Sequence, residues 1–372
     1  MTISCTKKCR LLLPQTSPDW ASLNHDPLEL IGSLVLVSGD LLDYVRYRAV
    51  CRHWRTSIPG PNGNGILDPH FHPRQWTMLP EGHGLYPGHP GLRGFVRFLN
   101  LSTGAVARVR LGPLMEDHAV LDSVDGLLLL HRDRDTVVRL VNPFTGDVAE
   151  LPPLSSLLPQ MDPHIIGRYS ERHRRSLIMR VGATSVTIGG SGSSTRTVTV
   201  MLALHLLHRV AYAAAGDQQW TLSTWKLMPL HRPVSFQGKL YAIHYLMFQG
   251  TSSRKLQIYQ IDPPRLPTDA LPASEKIAEC PPNKINYVLN LAECGSDLLL
   301  IGYKDTSCMD LVIYRLSDLV SGKESIGGKV RPLPYLLECP YNKSNESQSL
   351  DADCFNMAVR KLVQEELHIR EV

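Results

Sequence analysis

At 372 residues the chain is longer than a typical single domain, and its 43% hydrophobic and 20% charged residues are ordinary for a globular protein. Disorder throughout is thereby excluded. The formal net charge of +4 is too small for this length to predict nucleic acid or an acidic membrane as a partner.

The N-terminal stretch, MTISCTKKCRLLLPQ, has too short an apolar core for a signal peptide. No apolar run approaches the roughly 18 residues that would indicate a membrane span. Eight scattered cysteines are too sparse for a disulfide scaffold and are read as reduced thiols. We therefore expect residues 1–18 to be a flexible tail and the protein to reside in the cytoplasm, the nucleus or both.

Residues 19–58 show a helical pattern. Asp26 suits an N-cap, Pro27 suits the first helical position, and Glu29 completes a capping box, so a helix is predicted to begin there. The apolar residues that recur at helical spacing are Leu28, Ile31, Val35, Leu42, Val45, Ala49, Val50 and Trp54. Two or three short helices bury little surface by themselves, so their apolar faces are expected to need a partner.

Residues 59–74 are dense in Pro and Gly and are interpreted as a linker. Beyond them come short runs rich in Val, Ile, Leu and Tyr, which predict strands. The stretch VRFLNLSTGAVA begins at Val96, and the similar VRLVNPFTGDVA begins 42 residues later at Val138.

A 42-residue unit with about four short strands has the size of one β-propeller blade. Gly104 and Gly146 would supply the positive φ of a tight turn between the third and fourth strands of each unit. Weaker repeats downstream extend the pattern. The five predicted blades are residues 75–111, 117–151, 177–228, 234–280 and 286–335. The fold class is therefore mainly β, a propeller-like domain at residues 75–335 preceded by a small all-α domain.

The helical part contains Leu23, Asp26, Leu28, Ile31, Leu41, Leu42 and the stretch RAVCRHWR from Arg48 to Arg55. In these residues it resembles an F-box. Two positions differ from the family pattern, because Asn24 replaces a usual Pro and Pro27 a usual Leu.

The propeller-like part contains the stretches SVDGLLLLHRD, VNPFTGDVAELPPL, QGKLYAI and LVIYRL. With these stretches, the whole chain to about residue 335 is similar to plant F-box proteins of the kind abundant in grasses, whose C-terminal domain is expected to be a β-propeller. The similarity fades after Arg331, and residues 336–372 are interpreted as a divergent C-terminal tail with a possible helix.

This resemblance implies a non-catalytic substrate receptor of an SCF-type ubiquitin ligase. The F-box would bind a Skp-family adaptor, and through it a cullin, while the propeller would bind a protein target. The residues expected to contact the adaptor are Leu23, Leu28, Ile31, Leu42, Val50, Cys51 and Trp54. Trp54 would be the buried anchor of that interface and Cys51 a small buried apolar residue. The alternative is that the same residues pack the helical domain onto the propeller.

No catalytic, cofactor or metal residues are assigned. Asp117, His118, Asp122 and Asp125 are interpreted as capping groups around strand ends, and the tryptophans Trp76, Trp220 and Trp225 as packing between blades. The basic run RYSERHRRSLIMR is read as a solvated loop or exposed strand. Competing functions are an F-box scaffold that does not promote degradation and, from another class, a propeller enzyme with carboxylates converging at the central pore.

Overall fold

The computed structural model describes residues 20–37, 40–79, 95–111, 117–189, 196–227, 232–247, 254–265, 269–280, 285, 287–303 and 311–322. The chain divides into two compact units, Met1–Pro61 and Asn62–Val372. The predicted N-terminal tail and the predicted helix within residues 336–372 lie outside the described residues.

The first unit is helical, as its sequence pattern predicts. It contains a 3-10 turn, Trp20–Ser22, and the helices α1 (His25–Val37), α2 (Leu41–Arg48) and α3 (Arg52–Ser57). Helix α1 begins one residue before the expected cap, so Asp26 lies in its first turn. Helix α2 has a side-chain cap, because the Asp40 carboxylate accepts a hydrogen bond from the Asp43 N–H at 3.0 Å.

A small core of its own occupies this helical unit. Its buried apolar side chains are Leu28, Leu41, Tyr44, Trp54 and Ile58. The Tyr44 hydroxyl donates to the Pro59 carbonyl at 2.9 Å, and a Cβ on Gly32 would lie 3.3 Å from the Tyr44 ring. Gly32 thus lets α1 and α2 approach closely.

The second unit consists of five antiparallel sheets, each following the chain order of its strands. Blade 1 contains β1 (Trp76–Met78), β2 (Phe95–Asn100) and β3 (Val106–Arg110). Blade 2 contains β4 (His118–Val124), β5 (Leu127–Arg132), β6 (Val137–Val141) and β7 (Val148–Pro153). Blade 3 contains β8 (Val181–Gly189), β9 (Thr197–Leu204), β10 (Arg209–Ala214) and β11 (Thr221–Leu222). Blade 4 contains β12 (Val234–Phe236), β13 (Lys239–Met247), β14 (Arg254–Ile261) and β15 (Glu275–Cys280). Blade 5 contains β16 (Tyr287–Cys294), β17 (Asp297–Tyr303) and β18 (Leu311–Arg315), followed by helix α6 (Leu316–Val320).

These sheets confirm the prediction of a mainly β, five-bladed propeller. Within the described residues, blades 2, 3 and 4 have four strands, whereas blades 1 and 5 have three. The repeated Thr-Gly turn of blade 2 joins its third and fourth strands, as predicted. In blade 1 the same turn joins the last two of its three described strands.

Neighbouring blades pack through both faces of their strands. On β9, Val200 and Leu202 belong to the core shared with blade 2. The intervening Met201 and Ala203 belong to the core shared with blade 4. Because successive side chains of a strand point to opposite faces, a strand covered on both sides reads as a continuous apolar run.

The repeated stretches form the same turn twice. The Asn100 side-chain oxygen accepts hydrogen bonds from the N–H groups two and three residues on, at 2.9 and 3.0 Å, and Asn142 does the same at 3.0 and 3.2 Å. Each turn closes with a glycine at positive φ, +71° at Gly104 and +78° at Gly146. The 42-residue repeat in the sequence therefore corresponds to a turn of the same geometry that occurs twice in this chain.

The segment at residues 59–74 was expected to be a linker, but its part beyond residue 61 packs against blade 2. The buried Asn142 side-chain amide donates to the carbonyls of Gly65 and Phe71 at 2.8 and 2.9 Å. The Asp147 carboxylate accepts from the Gly65 N–H at 2.7 Å. The part of this segment beyond residue 61 therefore belongs to the propeller unit rather than to a free tether.

Between blades 2 and 3 lies an insertion that contains a 3-10 helix, Leu154–Gln160, and the helices α4 (Pro163–Arg168) and α5 (Glu171–Met179). The basic run in it was expected to be a loop or strand, so that prediction was wrong. Helix α5 begins behind an N-cap, because the Ser170 hydroxyl accepts from the His173 N–H at 3.4 Å.

Candidate functional site

The residues expected to contact an adaptor do not form one exposed face. They separate into a buried pair, a half-buried group and an exposed pair. The buried residues are Leu28 and Trp54, the half-buried ones are Leu23, Leu42 and Cys51, and the exposed ones are Ile31 and Val50.

Trp54 was expected to be the anchor buried in the adaptor interface, but it is buried inside the helical unit itself. Its ring lies 4.6 Å from the ring of Tyr47, and its indole N–H donates to the Trp20 carbonyl at 2.9 Å. The Tyr47 hydroxyl in turn donates to the Leu28 carbonyl at 3.0 Å. Trp54 therefore ties α3 to the rest of this unit.

Cys51 serves as the N-cap of α3 rather than as a fully buried apolar residue. Its Sγ accepts a hydrogen bond from the Trp54 N–H at 3.4 Å, and its side chain is half-buried. Sulfur is a weak acceptor, so this cap contributes less than a Ser or Asp cap would.

An apolar surface does exist on the helical unit, on the outward side of α1. Leu30, Leu34 and Val37 are 61%, 60% and 78% exposed, and Ile31 beside them is 37% exposed. At about 100° per residue, the first three lie within one narrow stripe along the helix, and Ile31 flanks it. We call these four residues the α1 stripe.

The α1 stripe was missed at the sequence level except for Ile31. The signal was present, because the helix sequence HDPLELIGSLVLV is apolar on nearly every side. Such a helix is expected to be covered all round. Here Leu28 and Gly32 face the unit's own core, which leaves the opposite side uncovered.

Exposed apolar side chains concentrate in the helical unit. Seven of the twelve large exposed hydrophobic residues among the described parts of the chain belong to it. Besides the α1 stripe these are Trp20, Val45 and Val50. Scattered single residues of this kind are ordinary, but four along one helix face indicate an interaction surface.

The acidic residues near β4 contact neighbouring groups. Asp117 lies 2.7 Å from the ring nitrogen Nδ1 of buried His118. Asp122 accepts from the Ser123 N–H at 2.9 Å, and Asp125 occupies the turn after β4 with a φ of 51°. These residues act on local backbone and side-chain groups.

Buried histidines surround blade 2. Burial lowers the pKa of His131, and the nearby Asp133 carboxylate opposes that shift only in part. The His72 Nε2–H donates a hydrogen bond to the Ile66 carbonyl, 2.9 Å away. Among the described residues no group of three or more His, Cys, Asp or Glu side chains is arranged to hold a metal ion.

The tryptophans of the propeller pack between elements, as expected. Trp76 lies 5.2 Å from the Phe144 ring and so joins blade 1 to blade 2. Trp220 is fully buried, and its indole N–H donates to the Pro152 carbonyl at 2.7 Å, which joins blade 3 to blade 2.

These features define a class of protein: a five-bladed β-propeller whose chain also carries a small helical unit with an exposed apolar helix face. In the described ranges, no helix is both long and apolar enough to cross a membrane.

Residues 98–331 match the family model of the KIB1-4 beta-propeller, which is more than half of the chain. The protein therefore belongs to the KIB1-4 beta-propeller family. No curated protein matches it in sequence. A solved structure that matches is the exo-beta-1,3-galactanase from Phanerochaete chrysosporium with galactose, at 12% sequence identity and a TM-score of 0.26. That match covers 68% of this chain and 62% of the galactanase, and so low a TM-score carries no argument about activity.

Proposed function

We propose that this protein is the substrate-recognition subunit of an SCF-type E3 ubiquitin ligase. The helical unit binds a Skp-family adaptor, which brings the cullin, and the propeller binds the protein target. The observation that carries the proposal is the α1 stripe, together with the F-box-like ending RAVCRHWR of the same unit.

The α1 stripe has the pattern of a helix surface that packs against a helical partner rather than one that stays exposed to water. Three large apolar residues in line at positions i, i+4 and i+7 are the pattern with which a helix enters an apolar groove. On α3, Arg52 and Arg55 are exposed and supply charges of the kind found at the rim of such interfaces.

In this proposal the protein is not itself a catalyst and acts by bringing the target close to the ubiquitin-loaded enzyme. Holding a target beside a ubiquitin-loaded enzyme raises the effective concentration of its lysines and replaces a bimolecular encounter by a local one. The proposal places the protein in the cytoplasm or nucleus, where it meets its adaptor.

The direct test replaces two residues of the α1 stripe, Leu30→Ser with Leu34→Ser. Both side chains are about 60% exposed, so the helical unit should keep its fold. The matched control is Val106→Ser with Val148→Ser, two exposed apolar residues of the propeller. Purified adaptor should bind the stripe variant at least about tenfold more weakly and the control variant normally.

Equal adaptor binding by the stripe variant and the wild type would refute docking through α1. A degradative role is separated from a scaffold by target half-life in cells. Once a target is captured, its half-life should lengthen in cells that carry the stripe variant. A half-life that does not respond would favour the scaffold.

A further inference from the structure

The insertion between blades 2 and 3 is firmly fixed to the propeller. Leu154, Leu157 and Ile178 are fully buried in the core shared by these blades. The Gln160 side chain donates to the Trp220 carbonyl at 2.6 Å and accepts from the Leu222 N–H at 3.0 Å. The helices α4 and α5 are thereby held as a rigid platform.

The outer side of this platform is strongly basic. Between residues 162 and 180 there are five arginines but only two carboxylates. Both carboxylates are engaged: Asp162 accepts from the His164 N–H at 2.9 Å, and Glu171 pairs with Arg175 at 3.4 Å. We call Arg168, Arg172, Arg175 and Arg180, all exposed, the basic platform.

Arg168 and Arg172 have no carboxylate partner among the described residues. Arg172 occupies the second position of α5, where the helix macrodipole disfavours a cation. Stability of the fold therefore does not account for these two charges. A negatively charged partner would pair with them.

The positive surface continues past the end of α5. The Arg180 carbonyl accepts from the His205 N–H at 3.0 Å, at the turn between β9 and β10. The pKa of His205 is lowered first by burial and then by the neighbouring His208, Arg232 and Arg180. Arg180 and Arg232 thus lie within electrostatic reach of the His205 ring.

From this geometry we propose that the basic platform binds an acidic, extended segment of a partner protein. Helix α5 has nine residues and is about 13 Å long, which about four extended residues span. Separate carboxylates on such a segment can pair with Arg168 and Arg172, which flank Glu171 in the sequence, and with Arg180 at the end of α5. If the ligase proposal above holds, the segment belongs to the target.

Two other anionic partners fit the platform less well. Single-stranded nucleic acid needs successive aromatic faces for stacking, whereas Tyr169 already stacks on His173 at 4.6 Å. A membrane surface needs an apolar helix face turned outward, whereas Leu177 and Ile178 of α5 are buried in the core.

The test uses the full chain and a fluorescent eight-residue peptide that alternates serine and glutamate. The variant is Arg168→Glu with Arg172→Glu. Its matched control is Arg108→Glu with Arg110→Glu, two exposed arginines of β3 that change the net charge equally. We expect the platform variant to bind the peptide at least about fivefold more weakly, the control to bind normally, and high salt to weaken binding.

Three results would overturn the inference: no peptide binding by the wild type, equal weakening in both variants, or tighter binding of a uridine octanucleotide than of the peptide. A serine–glutamine peptide of the same length should not bind, because it has no carboxylates; binding of this peptide would also overturn the inference. If the glutamate variant does not fold by circular dichroism, Arg168→Gln with Arg172→Gln replaces it. The peptide assay contains no adaptor. A failed peptide experiment therefore has no bearing on the test of adaptor docking through the α1 stripe.

Discussion

Asn142 should be one of the most sensitive positions in the propeller. Its side chain is fully buried and makes four hydrogen bonds at once. The amide nitrogen donates to Gly65 and Phe71 at 2.8 and 2.9 Å, and the oxygen accepts from Phe144 and Thr145 at 3.0 and 3.2 Å. Asn142→Ala would leave two carbonyls and two N–H groups without these partners.

A net value of about 1 kcal/mol for each hydrogen bond gives a predicted loss of about 4 kcal/mol in the free energy of unfolding. For a unit of this size that corresponds to a melting temperature lower by roughly 6 °C. The control is Asn62→Ala, an exposed asparagine of the same segment, which should change stability by less than about 0.5 kcal/mol.

Thermal unfolding of the full chain measures the loss, and hydrogen exchange locates it. Amide protection should fall first in residues 63–72, because Asn142 holds that segment against blade 2. A melting temperature within about 2 °C of the wild type, with protection there unchanged, would refute this account of the segment.

Two further predictions concern turns of blades 1 and 2. A Cβ on Gly126 would lie 2.0 Å from the Pro73 carbonyl oxygen, whereas one on Gly104 meets nothing within 4 Å. Both have positive φ, so Gly104→Ala should cost about 1 kcal/mol by strain alone and Gly126→Ala clearly more, as measured by chemical unfolding of each variant. The Arg132 hydrogen bond lowers the pKa of Asp135 to about 2, so the stability from this pair is present above about pH 4 and is lost as the pH falls toward 2. Arg132→Gln should raise that pKa toward 3.8 in carboxyl NMR titrations; an unchanged value would contradict the assignment.

The propeller could be predicted because its strands carry local signals. Short apolar runs bounded by turn residues mark strands, and the Asn-x-x-Thr-Gly turn repeats where the blade repeats. The turn asparagine itself went unrecognised, although Asn at the start of a turn is the residue type that accepts from the backbone ahead of it.

The segment at residues 59–74 was misjudged for a different reason. Local composition reports Pro and Gly, but the partner that fixes the segment is Asn142, far along the chain. The sequence did contain one signal, because Ile66 and Phe71 are large apolar residues in this segment dense in Pro and Gly. Both are buried in the structure. A tertiary hydrogen bond of this kind leaves no periodic trace in the sequence.

The helix in the basic run was not predicted because most of its residues are charged or polar. The buried side of α5 rests on only two residues, Leu177 and Ile178, so the apolar period is too short to recognise. Ser170 before Glu171 was the remaining signal, a helix cap with an acidic residue behind it.

The same limit applies to the residues expected to contact an adaptor. Sequence spacing identified apolar positions in α1 and α3 but not which of them the helical unit uses for itself. Trp54 sits in that core, so Trp54→Ala is expected to cost about 3 kcal/mol or more and to loosen the whole unit. Loss of adaptor binding in that variant would follow from unfolding as readily as from a lost contact. Only substitutions in the α1 stripe, which the core does not use, separate docking from folding.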